Sequence, residues 1–256
     1  MNKRVIVTPD KHFPLHDQPA INVVKKAIEI VKPDAYIDLG DVGEFKAFST
    51  HEDKRRKPPP FQYKQLEYDK DIKDVNAGMD QLDEALDKVN CKEKYITEGN
   101  HDNWLNMTVD SCEYPIEQYR FKNAVRLEER GYKYYPFGSK LKIGKLYFTH
   151  GYHYGTQYHA NVALKGGGNY MYGHRHSIQT LTTFDDDFGP RSAWCIGCLK
   201  DMSPQANYWL NYKITNWQHA FAIVDFFGQG YFTVHLLQII NGRTSLWGEL
   251  IDGNKK

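Results

Sequence analysis

The 256-residue chain has no long apolar run. Its mean hydropathy is -0.66, and no stretch approaches the ~20 apolar residues that a membrane-spanning helix needs. The amino-terminal residues do not read as a secretory leader either. After Met1-Asn2-Lys3-Arg4 only Val5-Ile6-Val7 precedes Thr8-Pro9-Asp10, short of an apolar leader core of ~7–15 residues. These absences point to a cytoplasmic protein with no membrane partner. Cysteine is scarce. Four residues, Cys91, Cys112, Cys195 and Cys198, do not make a disulfide framework. Cys195 and Cys198 form a single CxxC without the second pair a zinc site requires, so they read as reduced cysteines in an apolar segment. Net charge is nearly absent too, at +1 from 33 Lys+Arg against 32 Asp+Glu. No global field draws in nucleic acid or an anionic membrane, and any polyanion site must be local. Repeats, low-complexity tracts and flexible linkers are lacking, which predicts one domain over residues 1–256. The nearest thing to a break is Lys54-Arg55-Arg56-Lys57-Pro58-Pro59-Pro60. It reads as the start of a helical and basic insertion at about 45–90, since three prolines cannot continue a helix.

What is present is an ordinary globular composition, 41% hydrophobic and 25% charged, with strand and helix alternating in the first half. Arg4–Thr8 is a short β-branched run. Ala20–Val31 has helical spacing at Ile21, Val24, Ala27, Ile28 and Val31. Ala35–Leu39 is a second strand, a long amphipathic helix runs on from Ile72, and Lys94–Thr97 is a third strand. This βαβαβ opening predicts a parallel sheet with right-handed crossovers. The second half reads as strands at Lys140–Thr149, Tyr170–Tyr172, Gln179–Phe184, Ala193–Leu199, Ala220–Phe226 and Tyr231–Gln238, which suggests a second, more antiparallel sheet. The expected class is α/β or α+β, two packed mixed β-sheets flanked by helices.

Functional residues of such sheets collect past the carboxyl ends of the strands. Here those ends carry Asp10-Lys11-His12, Gly40-Asp41, Gly99-Asn100-His101-Asp102, His150-Gly151 and Gly173-His174-Arg175-His176. A lone Asp or His at a strand end is usually a cap or a turn former. Five in succession, four of them beside glycine, are another matter. Asp10, His12, Asp41, Asn100, His150, His174 and His176 offer carboxylate, amide oxygen and imidazole, which suits Mn, Fe, Zn, Ni or Co. Seven such groups suffice for two ions with one bridging carboxylate. Two ions ~3.5–4 Å apart can hold a hydroxide and clamp an in-line displacement at phosphorus.

In these blocks the sequence resembles the calcineurin-like metallophosphoesterase superfamily, whose pattern is D-x-H, G-D, G-N-H-D/E, H and G-H-x-H. All five blocks stand in order over residues 10–176. The resemblance implies the two-sheet sandwich of that family and two divalent transition-metal ions, manganese foremost. Asp10, His12 and His176 would bind the first ion, and Asn100, His150 and His174 the second. Asp41 would bridge them. It also implies a catalytic pair in which His101 steadies the transition state or protonates the leaving oxygen and Asp102 orients His101. The later stretches Ser192–Leu199 and Asn216–Phe221 are similar to a branch common in bacteriophages and prophages, which would put the protein in a host cytoplasm.

The departures narrow the expectation. Gly40-Asp41-Val42-Gly43-Glu44-Phe45 lacks the arginine of protein Ser/Thr phosphatases, and Glu44 stands where purple acid phosphatases place a tyrosine ligand. What remains is the layout of cyclic-nucleotide phosphodiesterases, broad-specificity phosphodiesterases and DNA-repair-type nucleases. The expected function is hydrolysis of a nucleotide or short nucleic-acid phosphodiester. A phosphomonoesterase or nucleotide pyrophosphatase would use the same centre, and a non-catalytic nucleic-acid-binding factor would keep the ions as cross-links. Lys165, Arg175 and His153 are candidate substrate contacts: Lys165 opens a glycine-rich loop that could cradle phosphate, and His153 could stack on a base. The Lys54–Lys57 run and Lys64 could meet a phosphate backbone. Homo-oligomerisation is left open.

Overall fold

The computed structural model describes residues 2–49, 61–112, 116–151, 164–165, 167–185 and 189–255. The Lys54–Lys57 run and His153 lie outside them.

The chain opens on strand β1 (Lys3–Thr8), whose Val5, Ile6 and Val7 are buried on both faces. Helix α1 (Gln18–Val31) follows. The Asp17 carboxylate accepts from the Ala20 N–H at 2.8 Å and caps it, and Lys32 ends it in the left-handed region at φ 47°. Strand β2 (Ala35–Asp38), helix α2 (Phe61–Lys88), strand β3 (Glu93–Thr97), helix α3 (Asn100–Ser111), a single helical turn α4 (Phe121–Ala124) and strand β4 (Tyr132–Tyr135) complete the first half. β1, β2, β3 and β4 pair in parallel. α2 is the crossover between β2 and β3. Its Val75, Met79, Leu82 and Leu86 join the core with Ile21, Val24 and Ile28 of α1 under Ile6, Tyr36 and Ile96 of the sheet. Each such side chain contributes about 1.5–3 kcal/mol on burial.

The second sheet has the order β5-β6-β7-β9-β8, from β5 (Leu141–Ile143), β6 (Leu146–Thr149), β7 (Asn169–Tyr172), β8 (Ile178–Asp185) and β9 (Gly189–Ile196). β6, β7 and β9 are parallel, with β5 and β8 antiparallel at the edges. The two sheets meet where Val5, Val7, Ile37 and Leu39 pack against Leu146, Phe148, Met171 and Ile196. Ile6 points to the helices while its neighbours Val5 and Val7 point to the second sheet, the period-2 alternation of a strand buried on both sides. The architecture is therefore α/β, with two packed mixed sheets flanked by helices.

Two expectations need correcting. Lys140–Thr149 is a hairpin, not one strand: Gly144, at φ 54°, turns the chain between β5 and β6. The last long strands do not extend the second sheet. β10 (His219–Phe227) pairs antiparallel with β1, and β11 (Tyr231–Ile239) pairs with β10, so the first sheet reads β11-β10-β1-β2-β3-β4. Residues 220–224 of β10 are buried throughout, as a central strand must be. Helix α3, strand β4 and a terminal hairpin, β12 (Arg243–Leu246) with β13 (Glu249–Asp252), add elements beyond the expected ones. Among the described residues no helix is long and apolar enough to cross a membrane. The four cysteines are free, and burial pushes the Cys195 thiol up to about 12.

Candidate metal centre

The carboxyl ends of β1, β2, β3, β6 and β7 converge, and each delivers part of one cluster. Asp10 and His12 follow β1, Asp41 follows β2, Asn100 opens α3 after β3, His150 follows β6, and His174 and His176 follow β7. Two glycines let these loops close. A Cβ on Gly99 would stand 2.2 Å from Asp41 Oδ1, and one on Gly173 would stand 2.1 Å from Asp10 Oδ2. The turns are strained. His12, Asp41, His174 and His176 take φ of 52°, 46°, 67° and 58°, a region costing non-glycine residues on the order of 1–3 kcal/mol each. Packing and hydrogen bonds hold them there. Both Asp10 carboxylate oxygens accept from the His174 N–H, at 2.8 and 2.9 Å. Asp41 Oδ1 accepts from the His101 N–H at 2.9 Å.

Two donor groups result. In the first, His12 Nε2 lies 3.0 Å from His176 Nε2, and His176 Nε2 lies 3.6 Å from Asp10 Oδ1. In the second, His150 Nε2 lies 3.1 Å from Asn100 Oδ1 and 3.2 Å from His174 Nδ1. Asp41 stands between them, its Oδ2 3.7 Å from His12 Nε2 and 3.4 Å from His150 Nε2. Asp10, His12, Asp41 and His176 form one potential ligand set and Asp41, His150 and His174 another. The donors fit divalent ions. Two ligand atoms each 2.0–2.1 Å from one ion sit about 2.9–3.4 Å apart, which is the spacing of the imidazole pairs here. The His150 Nδ1–H donates to the Leu39 carbonyl at 2.8 Å. That turns Nε2 toward the acceptors of Asn100 and Asp41, where only a proton or a cation can sit.

Electrostatics divide the histidines. Burial, then the charge of Lys200, lowers His12 to about 3. Burial, then the charge of His150, lowers His174 to about 4. Burial also works against a charge on His150, but Asp41 and Asp10 outweigh it and raise it to about 9. Burial opposes ionisation of Asp41 as well, yet the charges of His150 and His101 hold its carboxyl well below the usual range.

His101 stands over the first group, its ring edge-on to His12 with centroids 4.6 Å apart. Its Nδ1–H donates to the Glu44 carbonyl at 2.8 Å, leaving Nε2 as the ring atom that can take or give a proton. Trp104 lies against the same ring, centroids 4.0 Å apart. Asp102 does not orient His101. Its Oδ2 accepts from the Gly99 N–H at 2.9 Å and its Oδ1 from the Val42 N–H at 3.0 Å. Those backbone groups lie closer to hand than an imidazole on the adjacent face of the helix, so Asp102 ties the Asp41 loop to the start of α3. Burial and the Asp41 charge push its carboxyl well up.

Of the expected substrate contacts, Lys165 is exposed and precedes β7 by four residues, on the side of its amino end. The metal cluster follows the opposite, carboxyl end of that strand. Arg175 keeps its backbone in the turn between two histidines. Its Nε is buried without a hydrogen-bond partner among the described residues.

Sequence reasoning missed three supports. Glu44, noticed only as a departure from a tyrosine pattern, brings Oε2 to 2.9 Å from His12 Nδ1, close but out of line for a hydrogen bond. The buried Lys200 ammonium donates to the same oxygen at 2.7 Å. Beneath them Lys11 pairs with Asp38 at 2.7 Å, fully buried. The only local signal was a lysine inside an apolar run, as in Cys198-Leu199-Lys200.

No family model matches the chain. It is similar over 98% of its length, and 99% of theirs, to the "Gene 54 protein" of Mycobacterium phage L5, at 25% identity, and to that of Mycobacterium phage D29, at 22%. Solved structures that resemble it include a Vps29 single mutant from Entamoeba histolytica, TM-score 0.48 and 11% identity over 97% of this chain and 98% of that one. Chaetomium thermophilum Vps29 also gives 0.48, at 13% identity over 97% of each chain.

Proposed function

We propose that this chain is a metal-dependent phosphoesterase that hydrolyses a nucleotide or nucleic-acid phosphodiester, with Asp10, His12 and His176 as ligands of one ion, Asn100, His150 and His174 as ligands of a second, and Asp41 shared. The observation that carries the reading is the position of the Asp41 carboxylate, within 3.7 Å of a ring nitrogen in each donor group. Divalent ions held by these residues, manganese first among them, would supply Lewis acidity and charge neutralisation for displacement at phosphorus. The protein's own groups do the rest. His150 is fixed through Nδ1 so that Nε2 faces the ligand set. The Glu44 carbonyl holds His101 by Nδ1, so that Nε2 can deliver a proton to the departing oxygen. Arg175, with its buried unsatisfied Nε, supplies positive charge at the turn between His174 and His176.

The test is hydrolysis of a generic aryl phosphodiester and the matching monoester with Mn²⁺. The diester is expected to turn over faster. A strong preference for the monoester moves the assignment to a phosphomonoesterase or pyrophosphatase. No turnover of either with both ions bound leaves a non-catalytic nucleic-acid-binding factor.

A further inference from the structure

The segment between β9 and β10 is short of regular structure but rich in exposed rings. It is tied down from within. The Asn207 amide donates to the carbonyls of Asp201 and Ser203 at 2.7 and 3.0 Å, and residues 208–210 make one helical turn. From that anchor the rings run in contact toward the metal centre. Trp209, 55% exposed, lies against Trp217 with centroids 6.2 Å apart, and Trp217 lies edge-on to the ring of His176 at 4.5 Å. On the other side the exposed Tyr208 hydroxyl accepts from the Lys46 ammonium at 2.8 Å, and that ammonium sits 5.0 Å from the tyrosine ring. Lys46 is two residues past Glu44, whose carbonyl holds His101. The strip therefore starts at one proposed ligand and returns to the loop that carries the proposed acid. Beyond it, Tyr212 is 92% exposed.

Scattered exposed apolar residues need no explanation, but a contiguous aromatic patch that abuts a polar centre does. Its chemistry is specific. Flat π-faces beside a lysine, next to a centre that would grip a phosphate, match a single strand, in which unpaired bases offer π-faces and the backbone offers charge. A duplex hides its bases in the stack, and the net charge of +1 gives no field for tracking one. We infer that Trp209 and Trp217 form a stacking wall for the unpaired base next to the scissile phosphate, so that the substrate class is single-stranded nucleic acid or a dinucleotide. This rests on the phosphodiesterase reading above.

The experiment measures binding of a phosphorothioate-linked hexathymidylate and of an abasic hexamer with the same backbone to the Mn²⁺-loaded protein. Base–aromatic stacking predicts that the wild type prefers the base-bearing strand by about 5- to 150-fold. Trp209→Ala should remove most of that preference, and Trp209→Phe should restore most of it. Equal binding of the two strands by the wild type overturns the inference. So does a Trp209→Ala variant that keeps full discrimination, including one whose only change is a lost self-association. Hydrolysis of bis(4-nitrophenyl) phosphate by the wild type judges the phosphodiesterase reading separately. Turnover without base discrimination sinks only the stacking wall, and discrimination without turnover sinks only the hydrolase.

Discussion

Asp10, His12 and His176 are all buried, and side chains stand behind them: Glu44 and Lys200 behind His12, Trp217 against His176. Asn100 and His174, in the other group, are only half-buried, and His150 there is fixed by a backbone carbonyl. Their protonation differs as well. His12 is lowered to about 3 and is neutral at pH 7, whereas His150, raised to about 9, carries a proton until something displaces it. In the proposed reading the first group is a deep site whose histidine needs no deprotonation to take an ion. In the same reading the other is a rim site, where an ion would compete with the His150 proton and a substrate would approach.

Asp41 belongs to both groups, so its loss should erase the distinction between them. Asp41→Asn is expected to bring metal content below one ion per chain and diesterase activity to background. Retention of two ions would break the comparison at its root. The next effect falls on rate alone. His101→Asn should lower kcat by about 10²–10⁴-fold with both ions bound, and the loss should shrink for a diester with a very acidic leaving group. A lost ion would instead make His101 a ligand.

A smaller change should separate the groups. Glu44→Gln removes the carboxylate beside His12 and frees the Lys200 ammonium, so affinity for the deep ion should fall about 10–100-fold while the rim ion stays near its wild-type value. Competition with a chelating dye resolves the two. An equal fall at both sites would show that the backing is not specific to His12.

The mildest perturbation is pH. His150 in the metal-free fold lies above its ordinary value of 6.5, so its protonation stabilises that fold below pH 6.5. The stabilisation is lost as pH rises through about 9. Metal affinity has the opposite sign. The rim ion should bind about tenfold more tightly per pH unit between 6.5 and 9 and then level off, while the deep ion shows no such slope from His12. Thermal melts of the apo protein and calorimetric titrations across that range check both halves.

The sequence exposed the candidate cluster because each of its members sits at the end of a short apolar run, and because Gly99 and Gly173 must remain glycine where a Cβ would strike Asp41 or Asp10. It could not place β10 beside β1, since the Val5–Val224 register joins residues far apart in the chain and local periodicity carries no such information. Adjacency also misled. Asp102 follows His101 directly, yet helix geometry sends its carboxylate back to the capping N–H of Gly99. Lys200 and the Trp209–Trp217 strip were illegible because each gains its meaning only when the chain returns from β9 and brings Lys200 to Glu44 and Trp217 to His176, and Glu44 because its contact with His12 joins the loops after β1 and β2.

A paired metal centre is tested most directly by the number of Mn²⁺ ions bound per chain at saturation, measured by equilibrium dialysis with elemental analysis at pH 8. Two ions per chain in the wild type is the predicted result, and a plateau at one ion or none would contradict it.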